Sequence, residues 1–290
     1  MKVQSLSVCV PGNNCINNCR CCVSRMHNND KLYKNQLEEN IAFYDLYLND
    51  FMKRLQFCRD NGCNTLMLTG TVEPQQNMSF LKDFGIMMRL MNNPFPIIEM
   101  QTTGVTIDNP KLRFLRNHVG VSTISLSLFS FNDKENQNCR DSKLELNIKE
   151  FCDAIKLYDF NLRLSLNLTK YFERFTPEQL IISCKILGAD QITFRRLYDT
   201  NDGSEQSEWT KQNRATENFE KELLKFFEKQ TVLRRLEHGP IVRSIDGIST
   251  VFDLDCMAKE DKHDDKWKYL IVRPNGKLYS SWDDPASLIF

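Results

Sequence analysis

The sequence predicts an α/β fold on a parallel sheet, and three observations carry that expectation. Apolar strand-like runs alternate with amphipathic helical runs six times up to about residue 230. The later strands alternate leucine with polar residues one by one. The first strand runs straight into a loop with four cysteines, three of them at C-x3-C-x2-C spacing. Strand–helix units in that order imply right-handed crossovers between parallel strands. Six units fall two short of a full eight-stranded barrel.

Residues 3–10 form the first predicted strand. Residues 35–59 follow as a helix, with Leu37, Ile41, Tyr44, Leu48, Phe51, Leu55 and Cys58 at three- and four-residue spacing. Strand 65–69 precedes a helix over 79–91 that Asn92-Asn93-Pro94 ends. Strand 97–102, helix 109–117, strand 122–129 and helix 144–158 continue the rhythm. Strand 162–169 leads to Thr176-Pro177-Glu178, where Thr176 caps a helix and proline takes its first position. Strand 191–197 and a helical segment over 205–230 complete the sixth unit. Beyond it the rhythm changes to short strands, with Pro274-Asn275-Gly276 as a hairpin turn. The expected organisation is a core over 1–230 and a C-terminal extension over 231–290 that caps the barrel and its site.

Strand polarity says what the interior holds. Successive side chains of a strand point to opposite faces. Ile124, Leu126 and Leu128 share one face, and Thr123, Ser125, Ser127 and Phe129 the other. Leu162, Leu164, Leu166 and Leu168 oppose Arg163, Ser165, Asn167 and Thr169 in the same way. With the leucine faces packed under helices, the polar faces line the lumen, whereas an ordinary packed barrel fills it with branched apolar residues. The expected occupant is a polar ligand; a solvated outer face is the competing reading.

Composition narrows the partners. The 290 residues carry 38 basic and 38 acidic side chains, so no cationic excess calls for a long nucleic acid. No apolar run reaches the length of a membrane span. The 11 cysteines, an odd number, suit a reducing cytoplasmic setting better than a disulfide framework.

Cys15, Cys19 and Cys22 lie in Cys15-Ile-Asn-Asn-Cys19-Arg-Cys21-Cys22, a C-x3-C-x2-C run. One short loop thus offers three thiolates, one fewer than full ligation of a cubane [4Fe–4S] cluster takes. Zinc is the alternative; it favours four ligands, and His27 is the one histidine close enough in sequence to complete the set. The run resembles the signature of the radical S-adenosylmethionine (SAM) superfamily. That resemblance implies a partial (β/α)6 barrel and a cluster whose open iron chelates SAM. It also implies an electron donor such as flavodoxin or ferredoxin, and chemistry begun by a 5′-deoxyadenosyl radical that abstracts hydrogen from the substrate.

The resemblance extends over about residues 3–200. Thr69-Gly70-Thr71-Val72-Glu73-Pro74 is similar to the family's Gly-Gly-Glu-Pro segment, which implies SAM-ammonium contacts for Gly70, Thr71 and Glu73. Gln101, at the end of the third strand, is placed by the resemblance near the SAM carboxylate or ribose. Ser125, Ser127, Arg163 and Asn167 match ribose and carboxylate positions, and the stretch from Arg195 to Leu197 matches the backbone that reads adenine. Two departures stand out. Cys21 takes a position that is often aromatic in the family, which leaves Cys21 and Cys22 both open as third ligand, with the spacing favouring Cys22. Serines 280 and 281 replace the cysteine of families with an auxiliary cluster, and Cys256 is the one thiol after Cys184, so a single cluster is expected.

The expected function is hydrogen abstraction from a small molecule. In length and single-cluster layout the chain resembles the radical SAM lyases that trim the 7-deazaguanine base queuine to preQ1, with Glu99, Trp282, Asp283 and Asp284 as candidate substrate contacts. The alternatives are a peptide- or protein-modifying radical SAM enzyme, such as a glycyl-radical activase, and a zinc-binding scaffold without turnover.

Overall fold

A computed structural model of the chain describes residues 2–12, 14–26, 48–236, 239–253, 262–263, 266–282 and 284–290. Strands β1 (Lys2–Cys9), β2 (Thr65–Thr69), β3 (Ile97–Thr102), β4 (Thr123–Leu128), β5 (Asn161–Leu168) and β6 (Gln191–Arg196) lie side by side in chain order. Each is parallel to the next. The alternating pattern sorts as polarity requires. Leu126, Leu128, Leu164 and Leu166 are fully buried in one core with Phe84, Phe151, Ile155 and Leu180 from the covering helices.

Caps written in the sequence start those helices. Thr176 and Gln179 form a reciprocal capping box at Pro177–Ile186, as the Thr-Pro signal predicts. Asn147 accepts from the Glu150 N–H at 3.1 Å, so that helix runs Ile148–Leu157 and residues 144–147 stay outside it. The predicted helix over 109–117 is α-helical only for Asn109–Phe114, and a widened π turn, Leu115–Val119, finishes it. The segment over 205–230 is two helices, Glu205–Asn213 and Glu217–Glu228. Between them Arg214 bridges to Thr169, and the Ala215 N–H donates to the Leu168 carbonyl at 2.9 Å. A tertiary bond thus breaks a helix that local periodicity would continue. Of the predicted helix 35–59, the described part is Leu48–Asp60. Residues 35–47, His27 and Cys256 lie outside the described residues.

Residues after 230 extend the same sheet at both edges. On one side β9 (Ile248–Asp253) pairs parallel to β6, followed outward by antiparallel β8 (Ile241–Ile245) and β7 (Thr231–Arg235). On the other, β11 (Lys266–Val272) pairs parallel to β1 and carries β10 (Lys262–His263) and β12 (Leu278–Tyr279) as antiparallel neighbours. Eight strands in a row therefore run parallel, from β11 through β1–β6 to β9. The row ends on antiparallel strands and the sheet is not closed. The Pro274-Asn275-Gly276 turn forms as expected, with Gly276 at φ 72°. No described helix is long and apolar enough to cross a membrane.

Candidate functional site

The cysteine loop leaves β1 at the C-terminal end of the parallel sheet and is tied down from several sides. The Val10 N–H donates to the Thr69 carbonyl at 2.7 Å, drawing the loop onto the end of β2. Gly70 is needed there: a Cβ would stand 3.0 Å from the Val10 carbonyl oxygen. Gln76 clamps the next turn, accepting from the Ile16 N–H at 3.0 Å and donating to the Asn14 carbonyl at 2.7 Å. The helix Asp133–Arg140 holds the far side, where the Asn18 and Arg20 N–H groups donate to the Arg140 and Cys139 carbonyls, both at 3.0 Å.

Cys15, Cys19 and Cys22 are half-buried on this loop. Cys21 is buried in a small apolar cluster with Phe129, Cys139 and Leu197, against Tyr171 and Trp209. The two candidates for third ligand thus differ in environment, one packed in apolar surroundings and the other at the loop's accessible side.

Glu73 is the centre of the polar network beneath the loop. Its carboxylate is buried, yet five donor groups reach it. Oε1 accepts from Asn17 Nδ2 at 3.1 Å and Thr103 Oγ1 at 2.7 Å. Oε2 accepts from Gln75 Nε2 at 3.0 Å and Thr102 Oγ1 at 2.6 Å, and the Thr103 N–H lies 3.1 Å from it. A carboxylate offers about four lone-pair sites, so protein donors fill it. The side chain that the resemblance assigns to the SAM ammonium therefore binds the cysteine loop, through Asn17, to the end of β3. Gly104 completes that end at φ 87°, where a Cβ would fall 2.7 Å from the Phe151 ring.

Three features of the loop fit an iron–sulfur cluster. Burial pushes the Cys19 thiol well up, and the neighbouring Cys21, Cys22, Glu73 and Cys15 push it further, so the thiolate that ligates iron forms here only beside a compensating cation. Burial also raises Cys15, against the bond it gains from the Asn17 backbone. Second, Arg140 is completely buried, with Nε and Nη1 unpartnered. Burial lowers its pKa, and the fields of Cys19, Glu73 and Asp133 oppose that. A buried guanidinium without a counter-anion is costly, and thiolate-bound iron clusters are anionic partners of the needed sign. Third, Asn17 keeps one buried oxygen, Oδ1, without a donor. Among the described residues no three His, Cys, Asp or Glu side chains are gathered so as to hold a metal ion directly.

The lumen residues form a second group. Gln101, Ser125, Arg163 and Gln191 stand in one register row, and Ser127, Ser165 and Thr193 in the next towards the loop. Arg163 makes an ion pair with buried Glu99 and donates from Nε to Gln191 at 2.8 Å. Gln101 donates to Glu99 at 3.3 Å. Glu99 and Arg163, expected to meet substrate and SAM respectively, thus meet each other. Asn167 donates to the Leu128 carbonyl at 3.4 Å, while Ser165 Oγ and Arg195 Nε are buried without partners. Thr71 is half-buried in the turn after Gly70, and Leu197 packs beside Cys21. At the chain's end Trp282 is half-buried, and Asp284 is exposed and accepts from the Ala286 N–H at 2.8 Å. Asp283 lies outside the described residues. Asn17, Gln75, Thr102, Thr103 and Arg140 carry no assignment from sequence; only Asn17 gave a signal, by standing between two cysteines.

No family model matches the sequence, and no curated protein is detectably similar to it. Solved structures share the fold. Streptococcus suis SuiB bound to S-adenosylmethionine aligns with a TM-score of 0.54 at 12% identity, over 96% of this chain and 58% of that one. AnSMEcpe with bound AdoMet aligns at 0.52 and 15% identity, over 78% of this chain and 60% of that one. The same protein with AdoMet and the Cp18Cys peptide gives 0.50 and 14%, over 71% and 55%. The chain thus spans less than two thirds of each of these proteins. The architecture shared with these SAM-bound structures is an open, mostly parallel α/β sheet covered by helices.

Proposed function

We propose that the chain is a radical SAM enzyme with one [4Fe–4S] cluster, held by Cys15, Cys19 and Cys22, that acts on a polar small molecule. The observation that carries this reading is the anchored three-cysteine loop at the C-terminal end of β1, with buried Arg140, whose Nε and Nη1 lack partners, beside it. When bound, the cluster and SAM supply reductive SAM cleavage and hydrogen-atom abstraction, fed by an external donor such as flavodoxin or ferredoxin.

The protein's own residues position and shield. Glu73 fixes the loop to the end of β3 through Asn17 and Thr103. Gly70 and Thr71 present backbone beside it, and Ser125, Ser127, Asn167 and the Arg195 to Leu197 stretch offer polar groups to SAM along the lumen wall. Residues 1–230 carry this machinery; those of 231–290 build the sheet edges, and Trp282 and Asp284 contribute to the substrate mouth.

The finer substrate reading is a 7-deazaguanine base cleaved as in queuine lyases. Its guanine-like edge needs a carboxylate acceptor, and Glu99 supplies one on release from Arg163. A second reading, a peptide substrate, has in its favour the Cp18Cys peptide present in one structure of the same fold. Anaerobic incubation with SAM and dithionite across a panel of deazaguanines, other metabolites and peptides, read out as 5′-deoxyadenosine, tests all of these. Substrate-dependent 5′-deoxyadenosine supports the enzyme; a colourless, zinc-loaded protein that leaves SAM intact overturns it in favour of a scaffold.

A further inference from the structure

The open sheet leaves a cavity of about 830 Å³ between its two edges. One wall comes from the N-terminal ends of β1 and β2 with Trp267 of β11, the other from β6 and the β7–β9 hairpins. It enters the lumen from the end of the strands opposite the cysteine loop and climbs to Arg195, one residue short of the end of β6.

Its charge is one-sided. Among the described residues Lys2, Arg163, Arg195, Arg234 and Arg235 line it, against one carboxylate, Asp253. Arg163 is already committed to Glu99. The side chains of Arg195, Arg234 and Arg235 have no hydrogen bond or ion pair among the described residues, and Arg195 Nε is buried without an acceptor. A guanidinium is a permanent cation whose planar fork matches carboxylate and phosphate oxygens. A buried donor left unmade is costly, and a cleft with low-dielectric walls concentrates ions of opposite sign.

We propose that this cavity binds an acidic group of the substrate, a carboxylate or phosphate, through Arg195 with Arg234 and Arg235 at the mouth. The inference rests on the radical SAM reading and narrows its substrate class to anionic small molecules. Asn167 and Asp253 share Arg195's register row. A molecule anchored in that row has the lumen beyond it, towards the cysteine loop, for its remaining atoms. Queuine carries no acidic group, so anion binding here would favour the other substrates of the panel over the deazaguanine reading, and its absence would leave that reading in place.

The test is anaerobic isothermal titration calorimetry of the cluster-loaded full chain with inorganic phosphate and, separately, succinate. Each is titrated with and without saturating SAM. At least one anion is expected to bind with SAM present, the stronger of the two identifying the source. Arg195→Leu and the surface double variant Arg234→Ser/Arg235→Ser are each expected to weaken that binding at least tenfold. The double variant should leave SAM affinity unchanged. Absence of binding by both anions, displacement of the anion by SAM, or unaltered affinity in both variants would overturn the proposal. Cluster absorbance and SAM affinity of the same samples report separately on the radical SAM reading, so the two failures are distinct.

Discussion

Glu73→Gln is a near-isosteric change at the most heavily bonded carboxylate near the cysteine loop. The fixed donor is the Thr103 N–H, 3.3 Å from Oε1 and 3.1 Å from Oε2, and Gln75 Nε2, held by the Val105 carbonyl, adds a second on Oε2 at 3.0 Å. Whichever oxygen becomes an NH2 group then faces at least one N–H that cannot turn away, while the hydroxyls of Thr102 and Thr103 can rotate to accept. Hydrogen bonds to a charged group contribute about 1.5–3 kcal/mol each. Losing the charge and one or two fixed bonds thus costs about 3 kcal/mol. At about 2–4 °C per kcal/mol for a large domain, Tm of the iron-free protein should fall by roughly 6–12 °C. Because Asn17 sits between Cys15 and Cys19, iron retained after reconstitution should fall with it. The assays are differential scanning calorimetry and an iron-to-protein ratio. An unchanged Tm and full iron content, with only SAM affinity reduced, would show that Glu73 serves SAM directly and does not anchor the loop.

Single alanine variants of Cys15, Cys19 or Cys22 should lose the absorbance near ~400 nm expected of such clusters, whereas Cys21→Ala, in its apolar cluster, should keep it. A cluster-loaded Cys22→Ala protein would move the third ligand to Cys21. Arg140→Met should make the cluster harder to reduce in a spectroelectrochemical titration, because a buried cation is lost, while the iron-free protein holds or gains Tm. Burial raises Cys9 and Cys152 from 9.0 to about 12, and Cys63 to about 11. Above pH 9 the unfolded chain releases thiol protons that the folded chain keeps. Stability of the iron-free protein, measured by urea titration, should therefore be level from neutral pH to about pH 9 and fall from there towards pH 12.

The parallel sheet was legible because strands such as β4 and β5 alternate leucine with polar residues: every leucine in them is buried, while Thr123, Ser125 and Ser165 are buried on the opposite, lumen face. The Thr176-Pro177 start was legible because a cap is a local interaction. The destinations of β9 and β11 were not: both are short apolar runs, and nothing local says that one joins β6 and the other β1. Arg140 ends a helix so polar that it reads as a solvated face, and only packing against the cysteine loop buries it. Glu73 was found by its motif, but its role depends on Thr102 and Thr103, about 30 residues away in sequence. The three cysteines stood out because their chemistry needs one short loop.

The central claim is that three thiolates of this loop leave a cluster with one iron open to SAM. Electron paramagnetic resonance of the anaerobically reconstituted, dithionite-reduced protein tests it most directly. The expected result is a [4Fe–4S]⁺ signal that changes shape when SAM is added and is absent from Cys19→Ala. A signal indifferent to SAM, or a protein that takes up zinc and gives no signal, would contradict the account.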